Sequence, residues 1–198
     1  MDEDVIAIAE LTDHIVHAWR ESASNKARGL KVTVSTSCFI PKPHTPFQWE
    51  SQITQEEYKR RVALLSSRLK ARCVTYNWHD AETSHIEAAL ARGDRRLGRV
   101  IETVWKNGGK LDSWSDYFSY ERWLDAFKEC SLDPDFYAVR ERGEDEIMPW
   151  SVIDVGVRPE YLLSERHAAY RSEITPDCRV KCMACGARRL GAEGKCDE

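Results

Sequence analysis

Residues 30–49, LKVTVSTSCFIPKPHTPFQW, join two segments of opposite character. Residues 30–40 mix β-branched Val32, Thr33, Val34 and Thr36 between Gly29 and Pro41, and read as a strand. Pro41, Pro43 and Pro46 lack an N–H and fix φ, so the chain after the strand leaves any ladder as a rigid loop. The C-terminal end of a parallel strand is where α/β folds bind ligands. A loop presenting Lys42, His44 and Trp49 there is either a ligand lip or a stiff connector whose Phe47 and Trp49 cover the sheet edge.

Upstream, Val5, Ile8, Leu11, Ile15 and Trp19 recur at spacings of three and four, the pattern of one face of an amphipathic helix. Downstream, Thr54 and Glu57 have the capping-box spacing and open a helix whose Tyr58, Val62, Leu65 and Leu69 share a face. CVTYNW, Cys73 to Trp78, is a second strand. Helix, strand, helix, strand is the order of a parallel α/β unit. Two strands do not make a stable parallel sheet, because such sheets are covered on both faces and need more members. Residues 1–78 are therefore a small open unit or, the reading preferred here, the tail of a larger sheet.

Beyond residue 79 the pattern is helical. Ser84 with Glu87 suggests a capping box for a short helix through Ile86, Ala89 and Leu90. Leu97, Val100, Ile101, Val104 and Trp105 mark the next helix, ended by Gly108-Gly109, and Tyr117, Tyr120, Leu124 and Phe127 mark another. A polar, turn-rich connection over 131–148 leads to the apolar MPWSVIDVGV, and Pro159 opens a last helix through Tyr161, Leu162, Glu165 and Ala169. The chain thus divides into 1–78, a helical extension at 79–175 and a Cys-rich tail at 176–198.

The 198 residues are 42% apolar and 31% charged with a net charge of −4, a globular make-up without the basic footprint of a nucleic-acid or anionic-membrane binder. No apolar run approaches the ~20 residues of a membrane span. The acidic start MDEDVIAIAE lacks a signal peptide's basic region, so the cytoplasm is the expected compartment. In a reducing compartment the seven cysteines read as metal ligands or buried thiols before disulfides. Cys38, Cys73 and Cys130 lie in apolar segments and are expected to be buried thiols. Trp105, Trp114, Trp123 and Trp150 are expected in the core or at an interface.

Cys178, Cys182 and Cys185 form a C-x3-C-x2-C run, with Cys196 beyond it. Thiolates this close in a solvated tail have little packing role, so they are ligands of zinc or an iron–sulfur cluster or, the plainer reading, reduced thiols on a disordered tail. Cys182-Met183-Ala184-Cys185-Gly186 has the form of a knuckle whose glycine lets the chain turn its amides toward sulfur. Zinc would take a fourth ligand from Cys196, His167 or another chain; a four-iron cluster would sit on three cysteines. Two other stretches carry polar groups. His79-Asp80 is a base with its orienter or, since adjacent strand residues face opposite ways, Asp80 is a helix cap. ARGDRRLGR, residues 91–99, meets an anion or is a helix start with Asp94 as cap and a solvated basic face.

Four segments taken together, VSTSCFIPKPHTPFQW, ARGDRRLGRVIE, PWSVIDVGV with YLLSER, and TPDCRVKCMACG, resemble one family. It is the C-terminal part of the large uncharacterised radical SAM proteins that carry an N-terminal cobalamin-binding-like domain. The resemblance implies a partial (β/α) barrel with residues 30–40 as its last or nearly last strand and 1–20 as the helix before it. Phe39, Lys42 and His44 would face the cofactor chamber, and 79–198 would be a helical extension. In that family C-x3-C-x2-C also holds the catalytic 4Fe–4S cluster, but after the first barrel strand and with an aromatic residue before the last cysteine. Here the run is C-terminal and has Ala184 in that place. It is therefore expected to be an auxiliary site, iron–sulfur or zinc, on Cys178, Cys182, Cys185 and Cys196.

The catalytic motif, the glycine-rich strand end for S-adenosylmethionine and the cobalamin domain are missing from the chain. A truncated or split gene product is expected, with S-adenosylmethionine a cofactor only of the complete protein. A separate N-terminal radical SAM chain is the expected partner, and self-association is expected without it. The alternative is a non-enzymatic zinc-binding interaction module.

Overall fold

The computed structural model describes residues 1–24 and 29–187. The chain is α/β, mostly helical with two short parallel strands. It divides into two compact units: residues 1–39 with 53–85, and residues 40–52 with those from 86 onward.

The first unit holds α1 (Asp2–Ser22), β1 (Val32–Thr36), α2 (Gln55–Arg68), β2 (Val74–Trp78) and the start of α3 (Ala81–Ala91). Asp2, Glu3 and Asp4 in the first turn of α1 suit the positive end of the helix dipole. Thr54 caps α2 by accepting the Glu57 N–H at 3.2 Å. The Glu57 carboxylate is engaged instead by Arg60 and Arg61, at 2.6 and 2.7 Å. The expected capping box is thus present in its threonine half.

β1 and β2 pair in parallel register from Val32↔Val74 to Thr36↔Trp78. Alternation puts Val34 against Ala9 of α1 and Leu65 of α2, with Val5, Leu69, Val74 and Tyr76 around them. Thr33, Ser35, Thr75 and Asn77 lie exposed on the opposite face. β1 is shorter than the 30–40 span predicted. Its partner ends at Trp78 because Asp80 starts α3, accepting the Thr83 N–H at 2.8 Å, so residues beyond Thr36 have no β2 backbone to pair with. Asp80 is therefore a helix cap. Ser84 lies inside the helix, its hydroxyl donating to the Asp80 carbonyl at 2.7 Å, and is not the cap its spacing suggested.

The face that α1 buries differs in part from the predicted one, of which Val5 packs on Ala9, Val34 and Leu65. α1 buries Ala9, Thr12 and Val16, while Ile8, Leu11 and Ile15 remain exposed. The spacing of the apolar residues is helical as expected, but the packed stripe is the flank beside them.

The second unit contains α4 (Leu97–Lys106), α5 (Tyr120–Glu129), α6 (Pro134–Ala138) and α7 (Pro159–Tyr170). Ile86 and Ala89 from the end of α3 pack with Val100, Val104, Trp123, Ala126, Phe127 and Tyr137 into its main core. Trp123 and Trp150 are core residues; Trp105 and Trp114 are exposed. α6 falls in the stretch read as connection, where Asp133 caps the Asp135 N–H at 2.9 Å and Pro134 takes the first turn. Arg92 is fully buried, so the anion-binding reading of 91–99 fails for it. Its Nη1 donates to the Ala138 carbonyl at 2.5 Å and its Nη2 to the Arg140 carbonyl at 2.9 Å. Among the described residues no helix is long and apolar enough to cross a membrane.

Candidate functional site

Within the second unit the proline loop is closed on itself by Gln48. That buried amide accepts the His44 backbone N–H at 3.0 Å and the Trp150 indole N–H at 2.7 Å on one oxygen. His44 sits at φ 57, the left-handed region that non-glycine residues seldom occupy, and the Gln48 bond helps hold it there. The loop's exit is fastened in turn. The Arg142 N–H donates to the Trp49 carbonyl at 2.9 Å. Arg166 of α7 donates to Glu50 at 2.7 Å and to Glu144 at 2.6 Å.

This bracing builds a cavity of about 360 Å³ whose walls include His44, Trp49, Met148, Trp150, Arg158 and Leu162. Trp49, Met148, Trp150 and Leu162 also form a compact apolar cluster. Two side-chain nitrogens of the lining residues, His44 Nε2 and Trp49 Nε1, are sealed from solvent and have no hydrogen-bond partner among the described residues. The carboxylates in the wall are already engaged. Glu144 is held below the usual carboxylate range by His167 and Arg166, and Glu146 by Arg140 and then Arg142. The loop therefore does not offer Trp49 to solvent as a lip; its indole is a wall of the cavity.

The other predicted contacts separate. Lys42 is exposed and its ammonium pairs with Glu87 at 2.7 Å. Phe39 is exposed and belongs to the first unit. Of the predicted cofactor-binding residues, His44 is the one in the cavity wall. Trp150, expected from the sequence in the core or at an interface, is buried beside it, whereas Gln48, Glu144 and Arg166 carry no sequence signal that marks them. Only a long-range contact such as Trp150 to Gln48 gives them meaning, and spacing does not reveal it.

The tail cysteines sit on a turn and a knuckle. Asp177 nucleates the turn, its carboxylate accepting the Arg179 N–H and its carbonyl the Val180 N–H, each at 2.8 Å, and leaves Cys178 exposed. In the knuckle the Ala184 N–H points to Cys182 Sγ at 3.4 Å and the Ala187 N–H to Cys185 Sγ at 3.5 Å. Ala184 at φ 57 and Gly186 at φ 98 supply the reversals that aim these amides at sulfur. The knuckle is seated just ahead of α7. The Arg158 N–H donates to the Cys185 carbonyl at 2.8 Å, and the Arg158 guanidinium donates to the Ala184 carbonyl.

Burial raises the Tyr161 phenol above its ordinary value, and the charge of Glu165 adds to the effect. His167, weighed as a zinc ligand, has its Nε2 on Glu144 at 2.9 Å. Among the described residues no three His, Cys, Asp or Glu side chains are gathered closely enough to hold one ion. Cys196 lies outside the described residues. Donor chemistry still fits a soft metal at Cys182 and Cys185, because amides directed at sulfur stabilise the thiolate that ligation requires.

The fold and these two features define a mostly helical α/β protein with a braced cavity and a cysteine knuckle. Neither a family model, nor a curated protein, nor a solved structure matches the chain.

Proposed function

We propose that this chain is the C-terminal portion of a radical SAM iron–sulfur enzyme, inactive by itself, with an auxiliary metal site at its tail. The observation that carries this reading is the half-covered β1–α2–β2 unit. Its valine-bearing face lies under α1 and α2, while the paired Thr33/Thr75 and Ser35/Asn77 face is polar and open. In a (β/α) barrel the helices cover the outer strand face, as α1 and α2 do here, and the other face turns inward. The exposed Ile8, Leu11 and Ile15 of α1 suit a helix that in the complete protein packs between neighbouring helices. S-adenosylmethionine cleavage and hydrogen abstraction would then belong to the complete protein. The catalytic cluster would come from an upstream segment or a separate N-terminal chain, in the cytoplasm. Phe39, Lys42 and His44 follow the C-terminal end of β1, the end that faces the chamber in such barrels.

The test is metal and sulfide analysis with a visible spectrum on anaerobically purified, iron-reconstituted chain, alongside an assay for 5′-deoxyadenosine. Iron with sulfide, broad absorbance toward the blue and no 5′-deoxyadenosine is the expected result. Cleavage of S-adenosylmethionine by the chain alone would make the tail cluster catalytic and overturn the auxiliary assignment.

The paired amide-to-sulfur contacts at Cys182 and Cys185 favour a second reading, a zinc knuckle in a non-enzymatic interaction module. Stoichiometric zinc without colour would select it.

A further inference from the structure

We propose that α7 is a splint for the tail metal site. It grips both ends of the stretch that carries Cys178, Cys182 and Cys185, with Arg158 and the Glu165–Thr175 pair as the positioning residues. This inference rests on the metal reading of those cysteines given above, and every contact it uses lies within the second unit.

The path of the chain is the first argument. α7 ends at Tyr170, and the residues that follow return along it toward its start. Thr175 is held beside Glu165, its hydroxyl donating to the two carboxylate oxygens at 2.8 and 2.7 Å. Further on, Cys185 reaches the N-cap of α7, where its carbonyl accepts the Arg158 N–H at 2.8 Å. The Arg158 guanidinium donates to the Ala184 carbonyl as well. Exposure marks the same two points. Residues 171–181 are exposed except for Thr175, and Cys182 and Cys185 are half-buried again. Gly186 lies so close to Gly156 and Arg158 that a Cβ has no room there, so the second grip is a steric fit as well as a hydrogen-bonded one.

The second argument is what the grips enclose. The C-x3-C-x2-C run falls entirely on the stretch from Thr175 to Cys185. Gathering three thiolates on one ion orders a length of chain, and the entropy cost grows with the length left free. Here α7 already fixes both ends, so ligation has only the segment between them to arrange. The turn that Asp177 nucleates at Cys178 and the knuckle at Cys182 and Cys185 shorten that task further. Both grips act through carbonyls, a hydroxyl, a carboxylate and a guanidinium, so no thiol is taken out of use. Arg158 and Thr175 therefore act on the metal through the chain they hold. The coupling is reciprocal, and a metal that closes the stretch must also tighten the grips.

The experiment uses the full chain, metal-free and reduced, with Co²⁺ as the probe, because thiolate-to-cobalt charge-transfer absorbance reports cysteine ligation directly. Arg158→Met and Thr175→Val each remove one side-chain contact of a grip and leave every thiol in place. Each should weaken Co²⁺ about tenfold in a titration against a competing chelator. Arg171→Met, which breaks the exposed Arg171–Glu173 pair outside the gripped stretch, should leave the affinity unchanged. Hydrogen exchange supplies a readout that needs no variant. Co²⁺ should slow exchange of the wild-type Arg158 amide, the donor to the Cys185 carbonyl. Wild-type affinity in either grip variant, an equal loss in Arg171→Met, or an Arg158 amide indifferent to Co²⁺ would overturn the splint and leave the metal site standing. A wild-type chain that binds Co²⁺ without a thiolate band, or not at all, would strike the metal reading itself and the splint with it.

Discussion

Among single residues, Arg92 departs furthest from what its type leads one to expect. An arginine in a basic-looking run has become a fully buried brace, donating to Ala138 and Arg140 while its own carbonyl accepts Arg142 Nη2 at 2.6 Å. Burial, with the charges of Arg142 and Arg140, pulls its pKa down to about 10, so it is still charged at neutral pH. In Arg92→Met the Ala138 carbonyl keeps the Gln52 N–H at 3.0 Å, but the Arg140 carbonyl loses its partner. The expected loss is about 2 kcal/mol, read as a lower urea midpoint with unchanged slope. A second residue-scale prediction concerns acid. Arg60 and then Arg61 pull Glu57 from 4.5 to about 2. A carboxylate with a depressed folded pKa contributes stability that is complete above 4.5 and is lost as pH falls toward 2. The urea midpoint should therefore fall more steeply over that window in the wild type than in Glu57→Gln. Parallel pH profiles would show that the exposed Glu57–Arg pairs contribute nothing.

At the scale of elements, the knuckle gives the sharpest test. A Cβ on Gly186 would meet the Gly156 carbonyl at 2.8 Å and Arg158 Cγ at 2.9 Å, and the residue sits at φ 98. Gly186→Ala should push the knuckle off its seat and misdirect the Ala187 amide. Metal affinity is expected to drop about 10- to 100-fold, measured by competition with a chromophoric chelator, with far-UV circular dichroism unchanged. This turn was legible in the sequence, because a glycine directly after C-x2-C has few other reasons to be there. The strands were legible from β-branching, and the Asp80 and Thr54 caps from residue type at a helix start. The packed face of α1 was legible only in part. Val5 of the predicted stripe packs as expected, but Ile8, Leu11 and Ile15 stay exposed, and contact with β1 and α2 falls on Ala9, one residue to the side. The Gln48–Trp150 bond closes the cavity over a long sequence separation that no local pattern encodes, so the cavity was invisible until the chain was folded.

At the scale of the whole molecule, the first unit presents surface that its own residues do not cover. Among the described residues β1 and β2 pair only with each other, so each strand has one edge without a strand partner there, and the Ile8, Leu11 and Ile15 stripe adds exposed apolar area. Edges and apolar stripes of this kind draw in other chains. The chain alone should therefore sediment as concentration-dependent oligomers. Leu11→Lys with Ile15→Lys should shift it toward monomer at a stability cost within about 0.5 kcal/mol, because both positions are exposed. The same pair of substitutions should block association with a complementary N-terminal radical SAM chain, if that chain supplies the neighbouring helix. A wild-type chain that sediments as one monomer at all concentrations and unfolds in a single sharp transition would mean that two strands and their two helices suffice. The open polar face would then be ordinary solvated surface, and the case for a missing barrel would lose its structural support.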